Sequence, residues 1–318
     1  MNASMRCLNF QRHKKKVPAA VSFVDMAGLV KGASEGEGLG NKFLAHIRET
    51  DAIAEVVRIF EDDKVIHVHG GIDPVSDIET INLELVIADD QTVVKRLANI
   101  EKDIKRGAKE AIKEKEVLQK LSEALKQGKL ARSVPLTSDE APLVKTLHLL
   151  TMKPFLYVLN KKAVGKNLDE MKDPRFEKLL EYIKSLNAHY VIVDAAVEQD
   201  LSLLEGEEKE LFRAELGAEN DGVNELIKKS YEMLGLETYF TTGEVETRAW
   251  TILKGSTAPI AGTAIHTDFK DKFIRAEVIY WKDLLDAGSF GTAREKGLVR
   301  TEGKEYIVKD GDVMEFKI

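Results

Sequence analysis

Phe23-Val24-Asp25-Met26-Ala27-Gly28 is an apolar run ending in Asp-x-x-Gly. It opens into Leu29-Val30-Lys31-Gly32-Ala33-Ser34-Glu35-Gly36-Glu37-Gly38-Leu39-Gly40-Asn41-Lys42-Phe43. A strand-end Asp before a glycine-rich loop is half of a phosphate site. The carboxylate holds Mg²⁺, usually through water, and the glycine turns a backbone N–H toward the γ-phosphate. The other half would be G-x-x-x-x-G-K-[ST] on an earlier strand. Residues 1–22 contain no glycine, and that motif occurs nowhere in the chain. The alternative reading of Asp25 is a strand-end Asp that caps a turn.

Outward from this stretch, Val21–Val24 reads as a buried strand, Asn41–Glu49 as a helix and Ala52–Phe60 as the next strand. Asp73-Pro74 marks a turn, and Asp77 is the expected N-cap of a long helix. Leu97, Ile104, Ala111, Leu118 and Leu125 recur every seven residues, with Val94, Ala108 and Leu121 as companions. That repeat predicts two helices folded back near Gly107 as a short coiled coil, ended by Gly128. Pro154–Leu159 and Tyr190–Val193 read as strands around a helix over Phe176–Leu186. Strands alternating with helices predict a parallel α/β sheet, whose ligands bind at the carboxyl ends of the strands. Asp25, Asn160 and Asp194-Ala195-Ala196 each follow a strand, so they are expected to converge. Beyond Leu236, strands are expected at Thr247–Leu253, Ile274–Trp281, Glu305–Val308 and Val313–Ile318, a separate small α+β domain. Its turns are Gly303-Lys304 and Asp310-Gly311-Asp312. Trp250 and Trp281 are expected to pack in its core or along its edge rather than to stack on bases.

The 318 residues carry a net charge of −7. Lys95–Lys129 holds eleven Lys and Arg against six Asp and Glu, a local net of +5 that leaves −12 on the remainder. Such a segment is either a surface for nucleic acid or a solvated hairpin laced with ion pairs. The single cysteine, Cys7, excludes an intrachain disulfide. No apolar run approaches the roughly 20 residues of a membrane span. The basic run His13–Lys16 has no apolar stretch after it and reads as a solvated connector rather than a secretory signal. His67, His69, His148 and His266 have no metal-ligand spacing.

Asn160-Lys161-Lys162-Ala163 is similar to the base-recognition motif Asn-Lys-x-Asp. The final Asp would accept two hydrogen bonds from guanine, and Ala163 accepts none. A site without that acceptor forgoes discrimination of roughly 10⁴-fold, so guanine selectivity is not expected. Leu29 stands where Ras-like GTPases carry a Gln that orients the attacking water, so water must be positioned by another group.

These residues resemble the YchF family, the Obg-like ATPases. The resemblance runs along Val21–Ala33, Gly36–Leu44, Ile47–Ala52, Phe60–Asp63, Ile66–Val68 and Ile72–Pro74. It returns at Thr238–Gly243, Arg248–Thr251, Ala264–Phe269, Phe273–Val278 and Asp310–Met314. It implies a Ras-like parallel-sheet nucleotide domain over 1–87 and 146–234, N-terminally incomplete, a helical coiled-coil insertion over 88–145, and a β-grasp (TGS) domain over 235–318. It implies ATP binding and hydrolysis, with GTP as a second substrate, Mg²⁺ as cofactor, and a cytoplasmic protein that associates with ribosomes or ribosomal RNA. A monomer is favoured, and no membrane partner is expected.

The residues expected to act are Asp25, Gly28 and Leu29 in catalysis, with Asp25 holding Mg²⁺ through water. Asn160, Lys161, Ala163, Ala195 and Ala196 are expected around the nucleotide, and Lys102, Lys105, Arg106 and Lys109 on RNA. Leu29 agrees with the family's hydrophobic residue in place of the Gln. Ala163 departs from its usual Asn-x-x-Glu. Family members begin with a strand, a phosphate loop and a switch loop carrying a Mg²⁺-binding Thr, and this chain is read as a truncated form that starts after them. The chain as given is accordingly expected to bind ATP and GTP weakly and to hydrolyse neither. The alternative function is a non-catalytic ribosome- or RNA-binding protein that keeps the basic hairpin and the TGS domain.

Overall fold

The computed structural model describes residues 15–26, 39–62, 72–204, 206–216, 221–243 and 246–318, with backbone alone at 39–43 and at Lys109. Gly28, Leu29, His67 and His69 lie outside the described residues, as does the side chain of Lys109. The chain divides into two compact units, Val24–Met233 and Leu234–Ile318 together with Met1–Phe23.

In the first unit, strands Ile53–Arg58, Phe155–Asn160 and His189–Val193 form a parallel sheet in that order. The middle strand is buried on both faces, which is why it reads as an unbroken apolar run. Phe155, Tyr157 and Leu159 face helices Pro74–Lys105 and Pro174–Ser185 through Ile78, Leu85, Leu179 and Ile183. Leu156 and Val158 face the other way, with Val191, Val193 and helix Gly222–Leu234.

The expected strand Val21–Val24 does not form. Among the described residues no strand lies beside it, and Phe23 and Val24 are 50% and 66% exposed. Apolar side chains alone do not make a strand, because its backbone groups need a neighbour.

The long helix starts earlier than expected. Asp73, not Asp77, is its N-cap: the Asp73 carboxylate accepts the Ser76 N–H at 3.2 Å. Pro74 occupies the first turn, where a missing N–H costs nothing. The helix then runs unbroken through Ala88 to Lys105. Near Ala88 its neighbours change. Ile78, Leu85 and Ala88 pack on the sheet, whereas Val86, Val93 and Ile100 enter the seam of a hairpin.

The hairpin turns at Gly107, whose φ of 82° suits glycine, and returns as Lys109–Lys126. Ala111, Leu118, Leu121 and Leu125 are buried in the seam, and Leu97 and Ile104 partly so. Two expected companions differ. Val94 is 46% exposed and Ala108 is exposed, because Val93 and Ile100 supply the second apolar line. One residue is about 100° of helix, enough to turn Val94 off the seam.

The base of the hairpin is tied down by polar groups. The fully buried Asp89 carboxylate accepts the N–H groups of Leu150 (2.8 Å) and Thr151 (2.7 Å) and the Thr151 hydroxyl (2.7 Å). Arg48, at the end of helix Leu39–Glu49, donates to Thr92 Oγ1 (3.0 Å) and to the His148 carbonyl (3.2 Å).

The second unit is built on a six-stranded mixed sheet. Its order is Lys15–Val17, Glu246–Leu253, Leu236–Thr242, Asp312–Lys317, Arg275–Tyr280 and Arg300–Glu302. Part of the basic connector is therefore a strand. Lys15–Val17 runs parallel to Glu246–Arg248, and Lys15 pairs with Glu246 at 3.2 Å. Lysine is a residue that sheet edges tolerate. Glu305–Val308 is not a strand. It makes one bridge, Ile307 to Thr257, while Val308 is buried and the Tyr306 hydroxyl donates to Asp312 Oδ2 at 2.7 Å. Trp250 packs against one core of this unit and Trp281 against the other. Gly311 has a φ of 89°, and a Cβ there would meet Trp281 at 2.7 Å, so the turn after Asp310 requires glycine. Among the described residues no helix is long and apolar enough to cross a membrane.

Candidate nucleotide site and hairpin surface

The carboxyl ends of Phe155–Asn160 and His189–Val193 lie side by side, with Asn160 opposite Val193. Asn160 Oδ1 accepts the Ala195 N–H at 3.1 Å, and the Lys161 N–H donates to the Val193 carbonyl at 2.9 Å. Asp194 caps helix Ala195–Ser202 by accepting from Ala196 and Val197 at 3.1 Å each. The Asn-Lys pair and Ala195-Ala196 are thus brought together. The two alanines are exposed, so the helix start is open to a ligand.

The loop after Asn160 is held by a residue the sequence reading missed. Asn167 is 1% exposed. Its Oδ1 accepts the Lys162 N–H, and its Nδ2 donates to the Lys162 carbonyl and to Glu170 Oε2, all at 2.9 Å. Glu170 in turn pairs with the Lys161 ammonium at 3.1 Å. The hydrogen bonds from Asn167 and Lys161 hold the Glu170 carboxyl below its ordinary range. Gly165 closes the turn, its N–H donating to the Lys162 carbonyl at 2.9 Å. A Cβ on Gly165 would stand 2.8 Å from that same oxygen. Ala163 sits on this turn, half-buried, beside the fully exposed Val164. Nothing in the spacing of Asn167 announces its part, because it works through the main chain of Lys162.

Asp25 is exposed on a segment without strand or helix. Of the three parts expected to converge, Asn160 and Ala195 are joined directly by a hydrogen bond. Met26 alone of this stretch packs partly on the sheet core.

On the hairpin, Lys102, Lys105 and Arg106 are exposed around the turn. Glu101 and Asp103 beside them are engaged. Arg96 forks onto Glu114 (2.6 and 2.7 Å) and reaches Asp103 (2.9 Å), and Lys115 pairs with Glu101. Lys120 pairs with Glu140 at 2.7 Å. The basic face is thus concentrated at the turn. Arg96 is half-buried and bridges the two helices through Glu114.

The family model described as "YchF-GTPase_C: Protein of unknown function (DUF933)" matches residues 236–318, the second unit. The chain is 52% identical over 308 residues to the "Ribosome-binding ATPase YchF" of Bacillus subtilis (strain 168), covering 96% of this chain and 83% of that protein. It is 45% identical over 303 residues to the protein of the same name in Escherichia coli O157:H7, covering 95% and 82%. Among solved structures, "Structure of the Schizosaccharomyces pombe YchF GTPase" superposes with a TM-score of 0.85 at 34% identity, covering 99% of this chain and 85% of that one. By identity along nearly its whole length, by its second unit and by its fold, the chain belongs to the YchF family.

Proposed function

We propose that this chain is a cytoplasmic, ribosome-associated nucleoside triphosphatase of the YchF type, acting on ATP with GTP as a second substrate. The observation that carries the nucleotide reading is the Asn160–Ala195 contact. It spends the Asn160 carbonyl inside the protein and leaves the amide N–H₂ as the group that can donate to a base. Lys161, tied by Glu170, supplies its stem as a wall beside that base. Ala163 offers no carboxylate to guanine, so the loop has no polar means of preferring GTP.

Asp25 is an exposed carboxylate, a hard oxygen donor that suits Mg²⁺ bound mainly through water. Bound there, Mg²⁺ would neutralise phosphate charge. The chain's own part is to hold the ion beside Gly28 and Leu29, which follow in the sequence. The 318 residues do not include G-x-x-x-x-G-K-[ST], and that motif supplies most backbone contacts to a triphosphate. The chain as given therefore holds nucleotide weakly. The exposed Lys102, Lys105 and Arg106 at the hairpin turn favour a second reading, a non-catalytic ribosome- or RNA-binding protein.

Ribosome contact runs through the hairpin turn, where Lys102, Lys105, Arg106 and Lys109 cluster in the sequence. Co-sedimentation with ribosomes across a salt series tests this. Each phosphate neutralised contributes about 0.7 to 0.9 to the log–log salt slope. Reversing the four residues to Glu is expected to abolish association at moderate salt and to flatten the slope, with the far-ultraviolet spectrum unchanged. Unchanged co-sedimentation would remove the hairpin from the interface. Calorimetry with Mg-ATP tests the phosphate side: millimolar or weaker binding by this chain is expected, and micromolar affinity would refute it.

A further inference from the structure

Helix Ala195–Ser202 starts at the candidate base site and ends in a feature that site does not use. Between it and helix Gly206–Glu215 lies an open groove of about 370 Å³. Its floor is apolar: Leu203, Leu204, Leu211 and Phe212. Leu203 is 80% exposed and Leu211 71%. Two leucines so open, beside one another on a surface groove, mark a contact site rather than a core. The rim carries Asp200, Glu208 and Glu215.

Charge decides what fits. Residues 194–215 hold eight Asp and Glu against Lys209 and Arg213, a local net of −6. Arg213 is buried and turned to Asp221 at 3.4 Å, so it does not relieve the rim. An acidic rim repels RNA phosphate and anionic lipid alike. It attracts a cationic partner, and the leucine floor requires that partner to bring apolar side chains. An amphipathic helix with Leu-type anchors on one face and Lys or Arg flanking them meets both demands.

We infer that the groove between these two helices docks a basic amphipathic helix of a partner protein. Its occupant on the ribosome would be a Lys- and Arg-rich protein segment, whereas the hairpin meets phosphate. That assignment to the ribosome rests on the function proposed above. The docking chemistry does not.

Two arms test it. In the first, the probe is a fluorescent synthetic helix of about five turns, with leucines on one face and lysines elsewhere. Its twin has every lysine replaced by glutamate. The lysine helix is expected to bind the full chain, more weakly as salt rises. The double variants Leu203→Ser/Leu211→Ser and Glu208→Lys/Glu215→Lys should each weaken it by about tenfold or more. Because these leucines are exposed in the wild type, loss of fold is not expected, and circular dichroism checks it. Failure of the lysine helix to bind, equal binding of the glutamate twin, or indifference to both variants overturns the inference.

In the second arm, a photo-crosslinking residue replaces Leu203, and the chain is bound to purified ribosomes. A crosslink mapped to a Lys- and Arg-rich protein segment supports the docking. A crosslink to RNA, or none while co-sedimentation persists, overturns the ribosomal assignment. Loss of co-sedimentation altogether counts against the function proposed above, while the peptide arm still decides the groove.

Discussion

The two sides of the candidate nucleotide site are built to different degrees. On the base side, Asn160 ends a strand paired on both edges, and its loop is clamped by a buried asparagine. On the phosphate side, Asp25 stands on an exposed segment with no strand beside it among the described residues. Both segments have the same kind of sequence, an apolar run ending in a polar residue. The difference is the neighbour. Phe155–Asn160 has Ile53–Arg58 and His189–Val193 to complete its backbone hydrogen bonds. Among the described residues Ile53–Arg58 is itself an edge strand, and its Val56 is 67% exposed. Hydrophobic pattern thus specifies what a segment could become, and pairing decides whether it does.

The largest expected effect is on the base side. Asn167→Ala removes three hydrogen bonds in a buried place and orphans the Lys162 N–H, while the Lys162 carbonyl keeps only the Gly165 N–H. A loss of about 2–4 kcal/mol is expected in denaturant unfolding, with the loop from Lys161 to Glu170 losing amide protection first. If Asn167→Ala unfolds like the wild type and keeps that protection, the loop is not clamped as described.

A second test probes the sheet edge between the two sides. Glu55 on Ile53–Arg58 lies opposite Tyr157, and its Oε2 is buried without a hydrogen bond. Burial first, and then the nearby Asp77 carboxylate, push its carboxyl up from 4.5 to about 8. The folded chain therefore keeps this proton where the unfolded chain has released it. Stability falls as pH rises from about 4.5 to about 8, by on the order of 2–4 kcal/mol from this group, and levels off above. Glu55→Gln should remove that slope, raising the melting temperature at pH 9 relative to wild type with little change at pH 4. An unaltered pH profile would mean that Glu55 reaches water in solution.

The smallest effect belongs to the phosphate side. Asp25→Ala alters an exposed carboxylate on a segment outside any ladder, so stability should change by no more than about 0.5 kcal/mol. A loss above about 1 kcal/mol would show that Asp25 holds structure the account leaves out.

Much of this was legible in the sequence where residues act through side-chain pattern. The buried middle strand, the helices around it, the seven-residue repeat and the turn at Gly107 all follow from apolar spacing. What escaped acts through the backbone or through partners far along the chain. Asn167 grips main-chain atoms five residues away. The strand Lys15–Val17 exists because Glu246–Arg248 lies beside it, more than two hundred residues on. Val94 and Val93 differ by one position, and a repeat with two apolar lines does not say which of them enters the seam.

Hydrogen exchange measured on the full chain, comparing residues 18–26 with 155–167, tests the central claim most directly. Amides of Phe155–Asn160 are expected to exchange only through global unfolding, whereas those of Val21–Asp25 exchange at nearly the rate of an unfolded peptide, with and without Mg-ATP. Protection of Val21–Asp25 comparable to that of Phe155–Asn160 would contradict it, since the phosphate side would then be paired and built like the base side.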